Sequence, residues 1–265
     1  MNKEPIGIID SGIGGFTVAK SLHKLLPQED IVYFGDGANA PYGNRSPEEL
    51  IKLAKYMVSF MNEKKVKLLL VACNTISCLA SSYEQEIVPP VLYVVRSGAK
   101  GVAERNYKKI AVISTQFTHQ QGLYGKYIRS FSPEKEVFSG GSTHLVRLIE
   151  QNQGDEASEL AIQQEAQEVL GPLVSHGVDC CVLGCTHYPL ALDILQKTFP
   201  NLPFSDPAET MALEASALLR DNNLYHNEGG KLTVYTTGDP SLQIPHLKRA
   251  DLQADAILHH TPLKL

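Results

Sequence analysis

The 265-residue chain is 43% hydrophobic and 20% charged, a composition that excludes disorder and is enough for one large core or two smaller ones. A net charge of -5 and a pI near 6.0 argue against a broad nucleic-acid-binding face, which needs clustered Lys and Arg. The opening Met1-Asn2-Lys3-Glu4-Pro5 lacks an apolar signal stretch, and no run reaches the roughly 18 apolar residues of a spanning helix, so a cytoplasmic location without membrane contact is expected.

Ile6 to Ile9 reads as a strand, followed by a glycine turn and a helix from about Phe16 to Leu26, with Val18, Leu22, Leu25 and Leu26 on one face. Ile31 to Phe34 is the next strand. Ser46-Pro47-Glu48-Glu49 is a capping box with proline at the first helical position, and Leu50, Leu53, Ala54, Met57, Phe60 and Met61 keep helical spacing behind it. Strands are expected at 66–72, 91–95, 109–114 and 178–184, with helical patterns between them. Asp206 caps a further helix that runs to about Arg220, with Glu209 at its third position. Such alternation implies right-handed crossovers and mainly parallel sheets, so the fold class is α/β.

Two segments repeat one layout. Val66 to Thr75 is an apolar run ending in Ala72-Cys73-Asn74-Thr75, and Val178 to His187 matches it with Gly184-Cys185-Thr186-His187. Ile6 to Ser11 matches Ile110 to Thr115 at a near-equal offset. Two similar α/β domains related by pseudo-two-fold symmetry would give this pattern. One would comprise 1–96 plus 207–265, carrying Asp10 and Cys73; the other, 97–206, would carry Cys185 and His187. The site is expected in the cleft between them.

Five cysteines without an export signal read as free thiols rather than a disulfide framework. Cys78, Cys180 and Cys181 fall within helix or strand and read as small buried hydrophobes. Cys73 and Cys185 instead stand at strand carboxyl ends, where open parallel sheets bind ligands. Two acid/base groups on opposite sides of one carbon can take a proton from one face and return one to the other, which is racemisation or epimerisation. Both cysteines are expected to precede helix N-termini, whose dipoles favour a thiolate. Asn74, Thr75, Thr186 and His187 would then lie in the first helical turns, where backbone donors can also hold a carboxylate. Plain helix capping is the competing reading of Asn74, Thr75 and Thr186.

Asp10-Ser11-Gly12-Ile13-Gly14-Gly15, Pro41-Tyr42-Gly43, Ala72-Cys73-Asn74-Thr75 and Gly184-Cys185-Thr186-His187-Tyr188-Pro189-Leu190 together resemble the glutamate racemase family, within the cofactor-independent aspartate/glutamate racemase superfamily. The resemblance runs from about residue 5 to 240. It implies that Cys73 and Cys185 are the two acid/base residues, assisted by Asp10 and His187 respectively, with Glu150 supporting His187. It also implies that Ser11, Pro41, Tyr42, Gly43, Asn74, Thr75, Thr118 and Thr186, with Asp10 and His187, bind glutamate. No cofactor or metal is implied. The family makes D-glutamate for peptidoglycan, and its members are commonly homodimers. Two stretches depart from the family pattern: Arg96 and Ser97 replace a Glu-Pro after the strand at 91–95, and Ser142, Thr143, His144 and Arg147 occupy a segment that normally carries Cys-Pro.

Other readings are weaker. Gly12-Ile13-Gly14-Gly15-Phe16-Thr17 approaches a dinucleotide fingerprint, but Thr17 stands where its third glycine belongs. Cys180, Cys181, Cys185 and His187 make a poor zinc set, because the first two alternate within an apolar strand. A racemase-like binding protein, such as an inhibitor of DNA gyrase, would not need both thiols. A relative acting on aspartate or another small acid is the nearer rival.

Overall fold

The computed structural model describes residues 2–265, and ten strands organise it. They are β1 (Ile6–Asp10), β2 (Ile31–Gly35), β3 (Leu68–Val71), β4 (Val91–Tyr93), β5 (Lys109–Thr115), β6 (Glu136–Ser142), β7 (Cys180–Gly184), β8 (Phe204–Ser205), β9 (Leu232–Thr236) and β10 (Ala256–His259). Two sheets result, ordered β10-β9-β2-β1-β3-β4 and β6-β5-β7-β8. All the pairings are parallel. The order β2-β1-β3-β4 recurs as β6-β5-β7-β8, so β3 and β7, which lead into the two matched cysteines, hold equivalent places. The C-terminal strands β9 and β10 extend the first sheet from β2.

Side-chain alternation along the strands determines which core each face enters. Ile6, Ile8, Leu68 and Leu70 from the first sheet, and Ile110, Val112, Cys180 and Val182 from the second, belong to one continuous core. Helices Phe16–Leu25, Val94–Ala103 and Pro207–Asp221 contribute to it. On the opposite faces, Ile9, Leu69 and Val71 pack on helix Pro47–Glu63, while Ala111, Ile113, Cys181 and Leu183 pack on helices that include Glu156–Val174. Adjacent Cys180 and Cys181 therefore face opposite sides of their sheet, and half-buried Cys78 packs against the first two cores.

Helix Pro47–Glu63 starts as its capping box predicts: Ser46 Oγ accepts from the Glu49 N–H at 3.3 Å, and the Ser46 N–H donates to Glu49 Oε2 at 3.1 Å. Asp206 caps Pro207–Asp221 through the Ala208 N–H at 2.9 Å. The strand expected at 91–95 ends at Tyr93, and helix Val94–Ala103 begins at once, placing Arg96 and Ser97 in its first turn. That helix lies close to Pro207–Asp221, since a Cβ on Gly98 would come within 2.8 Å of Pro207, and buried Ser97 donates to Glu214. Among the described residues, no helix is long and apolar enough to cross a membrane.

Candidate active site

Residues at the carboxyl ends of β1, β3, β5 and β7 meet around one cavity. Ser11, Cys73, Thr115 and Cys185 follow or end those four strands, and all line it. The two thiols are 4% and 6% exposed, so both are shielded from bulk solvent. Cys73 immediately precedes the short helix Asn74–Ser77, with no capping bond from its side chain. Cys185 differs from expectation, because Thr186 and His187 form a turn and only a 3-10 helix, Tyr188–Ala191, follows. Pro189 is the cause: an α-helix beginning at Thr186 would need its N–H, which proline lacks.

At the Cys185 end, a chain of contacts runs outward. Cys185 Sγ lies 3.9 Å from His187 Nδ1, and His187 Nε2 lies 2.9 Å from Glu150 Oε1. Burial alone would push His187 down, but its bonds to Cys185 and Glu150 outweigh that and raise it to about 10. That shift favours the protonated ring, which would present an N–H to each neighbour. Burial would raise Glu150, yet the His187 bond and charge hold it below the usual glutamate value. Glu150 rides on helix Leu145–Gln151, whose first N–H donates to Ser142 Oγ at 2.8 Å. Ser142 therefore anchors the element that delivers Glu150 and Val146 to the cavity.

The Cys73 thiol lies in the field of Asp10. Asp10 is fully buried, and its carboxylate accepts from the Gly12 N–H at 3.0 Å and from Thr186 Oγ1 at 3.2 Å. Burial raises its pKa above the usual aspartate range, against the opposing pull of the His187 charge and the Gly12 and Gly15 amides. Burial also pushes the Cys73 thiol up to about 12, with the Asp10 charge adding to the effect and the Ile76 amide and Ser11 hydroxyl opposing it. One end of the cavity thus holds a protonated thiol, and the other holds a sulfur beside a cationic donor. Such a pair can give a proton to one side of a small molecule and take one from the other.

Pro41, Tyr42, Gly43, Asn74, Thr75 and Glu150 also line the cavity. Tyr42 is fixed by donating to Asp36 Oδ2 at 2.5 Å, and Asp36 in turn accepts from Thr237 Oγ1 at 2.6 Å. Thr118 does not reach the cavity: its N–H donates to Thr115 Oγ1 at 3.3 Å, and Thr115 stands in front, 3.4 Å from Thr75 Oγ1. Thr115, Ala40 and Val146 are lining residues that the sequence reading did not single out. Thr115 had a signal, because the internal match of β1 with β5 aligns it with Ser11. Ala40 and Val146 had none. Gly14 explains itself here, since a Cβ would fall 2.6 Å from His187 Nδ1.

A model of the Asp/Glu/Hydantoin racemase family matches residues 6–215. The glutamate racemase of Lactobacillus helveticus (strain DPC 4571) is 35% identical over 264 residues, covering 98% of this chain and 97% of that protein. Among solved structures, a glutamate racemase isoform from Bacillus anthracis superposes with a TM-score of 0.91 at 32% identity, covering 100% of both chains. The glutamate racemase of Francisella tularensis subsp. tularensis SCHU S4, in complex with D-glutamate, gives 0.88 at 29% identity over 98% of both chains. With two thiols on one cavity and matches over nearly its whole length, the chain belongs to the Asp/Glu/hydantoin racemase family.

Proposed function

We propose that the protein interconverts L- and D-glutamate by a cofactor-independent two-base reaction, supplying D-glutamate for peptidoglycan. The observation that carries this reading is the meeting of two cysteines, from equivalent strand ends of two similarly ordered sheets, on one cavity. In one direction the Cys185 sulfur, supported by the His187 imidazolium, takes the Cα proton while the Cys73 thiol gives one to the opposite face. In the other direction the roles exchange. Asp10 assists Cys73 and Glu150 holds His187. Ser11, Pro41, Tyr42, Gly43, Asn74, Thr75 and Thr186 bind the amino acid. Thr118 acts through Thr115.

The Cα proton of an amino acid is a very weak acid, so the carbanion needs its carboxylate neutralised and water kept out. A cavity edged by amides and hydroxyls, with both thiols buried, suits both needs. The reading includes two domains, 1–96 with 207–265 and 97–206, facing each other across a cleft, and a cytoplasmic homodimer. Incubation with L-glutamate, D-glutamate and L-aspartate separately, followed by circular dichroism, tests activity and substrate together. Loss of optical rotation with both glutamate enantiomers and none with aspartate is expected. Turnover of aspartate alone would reject the glutamate assignment.

A further inference from the structure

Asn74 follows Cys73 and lines the cavity, is 3% exposed, and its amide nitrogen Nδ2 is buried without a hydrogen-bond partner in the protein. An orphaned buried donor costs free energy unless something accepts from it. The other end of the amide is fixed, because Tyr124 donates its hydroxyl proton to Asn74 Oδ1 at 2.8 Å. With Oδ1 occupied by a donor, the amide has one orientation available, the one that leaves its NH₂ group free. Tyr124 itself is 4% exposed and lies on helix Leu123–Phe131. Its ring packs against the backbone just before the second thiol, since a Cβ on Gly184 would come 3.2 Å from Tyr124 Cε2. One side chain therefore touches the segments of both thiols: its ring braces Gly184-Cys185 and its hydroxyl sets Asn74 beside Cys73. Burial holds the phenol well above its usual value, so it remains a donor throughout the working pH range.

We propose that Tyr124 is a positioning residue: it locks the Asn74 amide so that Nδ2 donates to a carboxylate oxygen of the substrate, and it ties that donor to the segment bearing Cys185. This rests on the glutamate reading above, which supplies the carboxylate that accepts from the free donor. Lacking only the hydroxyl, Tyr124→Phe keeps the ring and its packing but lets the amide turn. Losing an aligned donor to the substrate's side-chain carboxylate, whose charge is the same in ground state and transition state, should raise KM for glutamate roughly ten-fold, with kcat changed less than about three-fold. Asn74→Ala should raise KM at least as much. In the Asn74→Ala background, Tyr124→Phe should then change KM less than about two-fold, because the group it orients is gone. An unchanged KM in Tyr124→Phe, or the same ten-fold factor in both backgrounds, would overturn the proposal while leaving the glutamate reading intact. A wild type inert toward glutamate would remove that reading, and this inference with it.

Discussion

His187 is where burial and charge compete most directly. Its pKa, raised to about 10, means that the folded chain keeps a proton there that the unfolded chain loses near pH 6.5. The resulting stabilisation is complete below about pH 6.5 and is lost progressively as pH rises to about 10. Cys73 adds to the alkaline loss, because the folded chain holds its proton up to about 12 while an unfolded thiol releases it near 9. Urea midpoints should therefore fall between about pH 7 and pH 10, and the gap between wild type and His187→Asn should narrow over that range. A gap independent of pH would rule out a buried imidazolium. Gly14 offers a steric test: the methyl group of Gly14→Ala would collide with Thr186 and His187. We expect kcat/KM to fall by about 100-fold or more with an unchanged far-ultraviolet spectrum. Near-normal activity would mean that the His187 position is not critical.

Elements were legible in the sequence wherever their period was clean and their ends were marked. The helix from Pro47 could be read because a capping box, a proline at the first position and a helical apolar stripe agree. Ser46→Ala should cost about 1 kcal/mol of stability by denaturant titration, with little change in helix content; no loss would mean that the cap is idle. Strands β1, β3, β5 and β7 were legible as apolar runs, and the thiols beyond β3 and β7 followed from them. β6 was not, because Gly140 and Gly141 interrupt its pattern. Those glycines permit close packing, as a Cβ on Gly140 would lie 3.0 Å from Val169 of the covering helix, and on Gly141 2.9 Å from His119. The helix at Val94 was hidden for another reason: Val94 and Val95 have strand-like character, while the helix they open packs on Pro207–Asp221 and Leu123–Phe131. Thr118 does not itself line the cavity but bonds to Thr115, which does, and neighbouring threonines on a turn are indistinguishable in sequence.

The whole molecule is bound together by the core that both sheets share. Ile8, Val112, Val182 and Met211 belong to that one cluster, so neither sheet can lose its packing without exposing the other. Calorimetry should show a single unfolding transition with equal calorimetric and van't Hoff enthalpies, and Met211→Ala should lower its midpoint by a loss of about 2–5 kcal/mol. Two resolved transitions would show that the halves fold separately.

The central claim is that Cys73 and Cys185 act on opposite faces of one Cα. Its most direct test is racemisation in deuterium oxide by the wild type, Cys73→Ser and Cys185→Ser, each started from L- and from D-glutamate and followed by proton NMR and circular dichroism. The wild type should form product carrying solvent deuterium at Cα while early recovered substrate keeps its proton, and each serine variant should lose inversion by more than about 1,000-fold. Inversion at the wild-type rate in either variant would contradict the account.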